Sequence, residues 1–296
     1  MKKFFIAAAA LLAFAVGNAQ LVTVSGIEKV GDVKCAKATI SPDGQYVVAN
    51  TGSALQRVNV SDGQAVTLTT GANLFNVTVG ADGTVAYTRP SFDKNHLRHN
   101  SLEAITPDGR QVVVVKPTRR LAAGAAVADG TVNGIVKGKA QAKAVTGKKA
   151  VKAPVAAINY GHLDVTVNGK TTTIDPQGRG SYLWASVNPA GTRVCYWLVG
   201  RGCFTCNLDG TDVKQHGPLR AAVWAGNDML VGVDEVEGDN QQLVASSVVA
   251  MDVKTNKVQK LTDDSMIALA PTATADGSRV AFTSDNGDLY IINIVK

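Results

Sequence analysis

Along this chain apolar and polar residues alternate in short runs, and each run stops at a glycine, an asparagine or an aspartate. The unit is clearest in the last stretch, Pro271 to Ile294. There an Asp276-Gly277 turn leads into Val280 and Phe282 alternating with Arg279 and Ala281, and a second turn at Asn286-Gly287 leads into Leu289 to Ile294. Alternation with a period of two puts one side of a strand against a core, and Gly and Asn supply the positive φ values of tight hairpin turns. No sustained apolar pattern with a 3.6-residue period is present, so the pattern predicts many short strands and almost no helix.

The unit recurs. Its first turn is seen at Ser41-Pro42-Asp43-Gly44, Ala81-Asp82-Gly83, Ala128-Asp129-Gly130, Asn188-Pro189-Ala190-Gly191, Ala225-Gly226-Asn227-Asp228 and Ala275-Asp276-Gly277. The turn glycines lie 39, 47, 61, 35 and 51 residues apart, a period of roughly 40 to 50 that suits a four-stranded propeller blade. A second turn follows in most units, at Ser61-Asp62-Gly63, Pro107-Asp108-Gly109, Asn168-Gly169, Asp209-Gly210 and Thr255-Asn256. Six first turns predict an all-β, single six-bladed β-propeller of four-stranded antiparallel blades over residues 20–296. The last unit ends after three strands, and an orphan strand, Leu21 to Val30, precedes the first; joining the two closes the ring and removes an open edge.

Met1 to Ala19 carries two lysines, an apolar run from Phe4 to Val16, and small residues at Gly17 and Ala19. This is the layout of a secretory signal peptide, with Gln20 as the mature N-terminus and a periplasmic or secreted location as the expectation. The apolar run is short of the roughly 20 residues that span a bilayer, so no transmembrane anchor is predicted. No cysteine stands at the expected mature start to carry a lipid.

The segments SPDGQYVVA (Ser41 to Ala49), NPAGTRVCYW (Asn188 to Trp197) and ADGSRVAFTSDNGDLYIINI (from Ala275) resemble the repeat of TolB-like and other WD-like bacterial propellers. Relatives of that repeat form the propeller domains of prolyl oligopeptidases and of some polysaccharide lyases. The resemblance implies the blade architecture and carries no catalytic residue. Neither the extra N-terminal domain of TolB nor a hydrolase domain is expected beside the blades.

Charge changes the picture at one place. The formal net charge is +6, or +4 without Lys2 and Lys3, yet residues 136–157 alone hold Lys137, Lys139, Lys143, Lys148, Lys149 and Lys152 with no acid. The stretch lacks large apolar side chains and reads as a basic flexible loop inserted in blade three. As a contact surface it would meet an anionic envelope component or an acidic protein face. Export and the absence of aromatics in the stretch argue against nucleic acid. The alternative is a solvated insertion without a partner.

The remaining chemistry is sparse. A hairpin turn centred on Gly200-Arg201 would set Cys195 opposite Cys206, a possible disulfide in an oxidising compartment. Cys203-Phe204-Thr205-Cys206 has redox spacing but lies on a strand, where its sulfurs point to opposite faces. Cys35 reads as a small buried apolar residue. His96 and His99, three apart beside Asp93, suggest a metal site but read as polar loop residues, His162 and His216 stand apart, and neither a GxSxG nor an HExxH motif is present. Trp184, Trp197 and Trp224 read as packing between blades, with Trp184 and Trp224 in similar places on consecutive first strands; stacking on a sugar is the alternative. Taken together these observations predict a non-enzymatic binding scaffold without cofactor or metal, engaging an envelope protein or anionic envelope component through rim loops. A carbohydrate-binding or carbohydrate-cleaving propeller is the second reading.

Overall fold

The computed structural model describes residues 20–126, 130–147, 149–239 and 242–295; the leader-like Met1 to Ala19 lies outside them. The described residues form 26 strands and no α-helix, gathered into seven antiparallel sheets arranged as a β-propeller. Blade 1 is β2 (Lys37–Ile40), β3 (Tyr46–Asn50), β4 (Ala54–Asn59) and β5 (Ala65–Thr70). Blade 2 is β6 (Phe75–Val79), β7 (Val85–Phe92), β8 (Arg98–Ile105) and β9 (Gln111–Thr118). Blade 3 has three strands, β10 (Leu121–Ala126), β11 (Thr131–Val136) and β12 (Lys139–Ala144), as does blade 4, with β13 (Val155–Asn159), β14 (His162–Val167) and β15 (Lys170–Thr173). Blade 5 comprises β16 (Tyr182–Val187), β17 (Arg193–Leu198), β18 (Gly202–Asn207) and β19 (Lys214–Gln215). Blade 6 comprises β20 (Arg220–Trp224), β21 (Met229–Glu237), β22 (Leu243–Asp252) and β23 (Val258–Lys260). In blade 7, β24 (Ala268–Ala273), β25 (Arg279–Ser284) and β26 (Leu289–Val295) are completed on the outside by β1 (Thr23–Lys29).

The orphan N-terminal strand therefore closes the last blade, as its position in the sequence suggests, with Val24 opposite Ile294 and Ile27 opposite Ile292. The count of six is corrected to seven. The 61-residue interval from Gly130 to Gly191 holds an additional blade, and residues 136–157, expected as one inserted loop, contain β12 and the start of β13. Between those strands Lys149 to Pro154 forms no strand. Val151 N–H donates to Thr131 Oγ1 (2.9 Å) and Asn133 Nδ2 donates to Ala153 O (3.2 Å), laying the segment along β11. Leu74 meets the preceding blade in the same way just before β6, its carbonyl accepting from Asn50 Nδ2 (2.5 Å). Gly161 O accepts from Tyr182 N–H at the start of β16, just as Gly52 O accepts from Asn73 N–H before β6, so Tyr160-Gly161 is the second hairpin of its blade, not the first. Blade 3 thus lacks an outermost strand, and blade 4 has an irregular segment in place of its innermost one.

Packing between blades shows the same discontinuity. Buried apolar clusters span blades 1 and 2, 2 and 3, 4 and 5, 5 and 6, 6 and 7, and 7 and 1. Among the described residues no such cluster joins blades 3 and 4. The cause is compositional: Lys139 to Pro154 offers alanines, lysines and two valines where the other blades present Leu, Ile, Tyr or Phe.

Two local devices recur elsewhere. In the inner strands β6, β16, β20 and β24 the register shifts beside a non-glycine residue of positive φ: Asn76 (50°), Trp184 (50°), Ala221 (50°) and Ala270 (47°). These are β-bulges, which bend a strand and re-aim its side chains where the ring narrows. At the first turns, glycine serves a second purpose besides its φ. A Cβ on Gly277 (φ 71°) would lie 2.7 Å from Ala225 O of the preceding blade, so the turn can seat only without a side chain.

Candidate binding surface

Between Arg110 and Lys152 ten lysines and arginines meet a single acid, Asp129. Only the part of this run after Val136 stands out within one blade-length of sequence; Arg110, Lys116, Arg119 and Arg120 lie before the third first turn. A charge count over a window longer than one blade would have included them. The fold brings the two parts together along the flank shared by blades 2 and 3. At one end Lys137 N–H donates to Arg120 O (3.0 Å), so the Lys137-Gly138 hairpin sits against Arg119-Arg120. Midway, Lys143 Nζ donates to Val113 O of β9 (2.9 Å), and at the other end Arg110 donates to Val145 O (2.6 Å).

Lys116, Arg119, Arg120, Lys137, Lys139, Lys143, Lys149 and Lys152 are exposed, and none of them forms an ion pair with a described residue. Lys148 lies outside the described residues. Lys139 and Lys143 stand on the strand β12, whereas Lys149 and Lys152 belong to the irregular segment on the way into blade 4. The predicted lysines therefore form the continuation of a longer basic flank, not the tip of one loop. Several cations elsewhere are paired: Arg89 with Glu103, Arg193 with Asp212, Arg220 with Glu235, and Lys29 and Lys34 with Asp288. A flank whose like charges have no counter-ions attracts anions over about a Debye length.

The cysteines are placed differently from the expectation. The β17–β18 register sets Cys206 opposite Val194 and Cys195 opposite Thr205, because the connecting loop is Val199-Gly200-Arg201, one residue longer than the turn assumed. Cys195 and Cys206 consequently face different sides of the blade and cannot pair. Cys195 Sγ instead lies 3.7 Å from Cys203 Sγ, both buried toward blade 6, while Cys206 packs toward blade 4. Burial pushes the Cys206 thiol up to about 12 and the buried Cys35 thiol up to about 11, so neither is a thiolate nucleophile at neutral pH.

The histidines separate likewise. Asp93 Oδ1 accepts the N–H groups of Asn95 and Leu97 while Oδ2 meets His99 Nε2 at 3.2 Å, an arrangement that shapes the hairpin tip between β7 and β8. His162 Nδ1 lies 2.6 Å from Asp175 Oδ2 beside exposed Tyr160. Among the described residues no group of three or more His, Cys, Asp and Glu could hold a metal ion.

His216 is buried between blades 5 and 6. Its Nδ1–H donates to Asn256 Oδ1 (2.6 Å) and its Nε2 accepts from Thr205 Oγ1 (2.8 Å), so the neutral ring is fully satisfied. Burial, reinforced by the nearby Arg193 and Lys214 charges, holds its pKa below the ordinary histidine value. The folded state therefore binds this proton less readily than the unfolded chain. The stabilisation is fully present above the unfolded pKa of about 6.5 and is lost as pH falls below it. The urea midpoint is expected to drop between about pH 7 and pH 5, and His216→Gln should flatten that part of the profile; an unchanged slope would remove His216 from the acid response.

The tryptophans divide. Trp224 is buried, with Nε1–H donating to Ser186 O (3.3 Å), but Trp184 occupies the bulge position that Ala221 holds in the next blade and is 44% exposed, its ring 5.8 Å from Trp197. The two are thus not equivalent. Lys37, on the inner strand of blade 1, is reached by solvent, yet burial lowers its pKa, as befits an amine in a narrow opening.

No family model matches the chain, and no curated protein matches its sequence. Among solved structures, it is similar to an oligogalacturonate lyase from Vibrio parahaemolyticus, at 15% identity over 86% of this chain and 76% of that one (TM-score 0.48). An oligogalacturonate lyase in complex with manganese matches at 15% identity over 88% and 76% (TM-score 0.47). A chain of a mitotic checkpoint complex matches at 10% identity over 97% of this chain and 100% of that one (TM-score 0.58). At these identities the likeness concerns the fold alone, and the third match supports the propeller.

Proposed function

We propose that this protein is an exported, non-enzymatic binding propeller whose working surface is the basic flank of blades 2 and 3, and that it engages an acidic face of an envelope protein or another anionic envelope component. The observation that carries the reading is the gathering of Arg119, Arg120, Lys137, Lys139 and Lys143 on one flank with no acidic counter-ion among the described residues. The leader-like Met1 to Ala19 supports export.

The second reading, a carbohydrate-directed propeller, rests on Trp184, whose strained backbone and exposed indole suit stacking on a sugar. One set of binding measurements separates the two. Residues 20–296 would be titrated with an acidic polypeptide, with vesicles containing phosphatidylglycerol, and with neutral and acidic oligosaccharides with and without manganese. Salt-sensitive binding of an anionic probe, weakened at least tenfold by changing Arg119, Arg120, Lys137, Lys139 and Lys143 to Gln, is the expected result. Binding or cleavage of an oligosaccharide that persists in this variant and is lost in Trp184→Ala would overturn it in favour of the second reading.

A further inference from the structure

The ladder between β11 and β12 shows which backbone groups of blade 3 have no neighbour. Thr131 lies opposite Ala144, Val132 opposite Lys143 and Gly134 opposite Gln141, and Val145 N–H donates to Gly130 O (2.8 Å) at the end of the pairing. In an antiparallel pair the bonded positions alternate. With Val145 bonded inward, Lys143, Gln141 and Lys139 also direct their N–H and C=O groups toward β11, and Ala144, Ala142 and Ala140 direct theirs outward. Among the described residues the other six blades have an outermost strand at this edge, β15 filling that place in blade 4; blade 3 has none. Among the described residues nothing outside β11 bonds the backbone of the three alanines.

The side chains around this edge are sorted. Lys139, Gln141 and Lys143 project from one face of β12 and are exposed; the other face carries only alanines. A strand laid against β12 would thus meet small, uncrowded residues on one side and, on the other, two cations four strand rises apart, about 13 Å.

We infer that β12 is a docking edge: an extended acidic peptide segment of a partner protein adds to blade 3 as its missing fourth strand, antiparallel to β12, with carboxylates at alternate positions facing Lys139 and Lys143. Backbone bonds to Ala140, Ala142 and Ala144 give affinity, and opposed charges about 5 Å apart select the sequence. Lysines on an open edge also repel basic strands and would lose hydration against apolar ones, which keeps β12 from pairing indiscriminately. The acidic partner must come from another protein. The richest acidic run of this chain, Asp234 to Asp239, is already engaged: Asp234 to Glu237 pair with β22, and Glu235 and Glu237 face Arg220. This inference rests on the binding reading above and names the mode of contact.

The test uses residues 20–296 and a labelled peptide of about seven residues alternating Glu and Val, the length of an ordinary strand, read by fluorescence anisotropy. N-methylation of the alternate amides that would face Ala140, Ala142 and Ala144 is expected to weaken binding at least tenfold, and methylation of the intervening amides to leave it within about twofold. The double variant Lys139→Glu, Lys143→Glu should lose the Glu peptide and gain its Lys counterpart, a gain that a misfolded protein could not show. Equal binding of both methylated peptides would overturn strand addition while leaving a purely electrostatic flank intact. Failure of every acidic probe, peptide or polymer, would overturn both this inference and the reading on which it rests.

Discussion

Deleting Leu21 to Lys29 is expected to cost about 5 kcal/mol or more and to lower the thermal midpoint by about 10–20 °C, at the roughly 2–4 °C per kcal/mol of a domain of this size. Three kinds of contact go together. The antiparallel ladder from Thr23–Val295 to Lys29–Tyr290 disappears. Val22, 6% exposed, leaves the cluster that joins blades 6 and 7. The side chain of Gln259, which accepts the N–H groups of Leu21 and Val22 and donates to Val22 O, loses all three partners. The deletion also uncovers the outer edge of β26, an apolar strand with Ile291, Ile292 and Ile294, so aggregation should accompany the loss. Calorimetry and light scattering of the truncated protein would check this, and supplying residues 20–30 as a peptide should recover part of the midpoint. A truncated protein within about 2 °C of the full chain would mean that blade 7 stands as a three-stranded sheet.

Phe282→Ala should rank next, at about 3–5 kcal/mol, the usual range for truncating a fully buried aromatic. Phe282 is completely buried in β25, between blades 6 and 7, and its ring stacks on Tyr290 with centroids 5.3 Å apart. The cavity opens between sheets held by their own ladders, which restricts how far the neighbours can collapse into it. Denaturant unfolding would show a lower midpoint with little change in slope. A cost below about 1 kcal/mol would require blades 6 and 7 to move together on loss of the ring.

The stretch from Pro271 to Ile294 was legible in the sequence because two requirements fall on the same residues. Asp276-Gly277 is needed both by the turn and by the close passage of Ala225 O, and the alternation that follows is read directly as β25. Wherever these coincide the blade can be read from composition alone, and ring closure by the N-terminal strand follows. The extra blade escaped because its first turn, near Pro154, carries no glycine and its inner segment carries no large apolar residue. Its sequence signals are Asn159-Tyr160-Gly161 and Asn168-Gly169; the structure gives both turns successive positive φ values, but only Asn168-Gly169 has the Asn-Gly pair that marks a tight turn. The cysteine register failed for a smaller reason. A single added loop residue exchanges the faces of a strand, and RVCYWLVGRGCFTCNL does not say whether its loop has two residues or three. For the candidate surface, the lysines after Val136 were evident, whereas their junction with Arg119 and Arg120 depends on a hairpin meeting a linker across the ladder.

The missing cluster between blades 3 and 4 makes the ring mechanically lopsided. Residues 31–147 and 155–295 form two arcs, each continuous in the chain. One junction between them, at blades 7 and 1, is filled by Val30, Ile40, Leu289 and Ile291 and belongs to the closing strand; the other is held by Val151 and Asn133 through side chain to backbone bonds. Thermal breathing of such a ring concentrates at its weaker joint, as the two ends of a split washer part while the opposite side bends. The central opening should therefore vary in width chiefly at this joint, whose irregular segment carries Lys149 and Lys152.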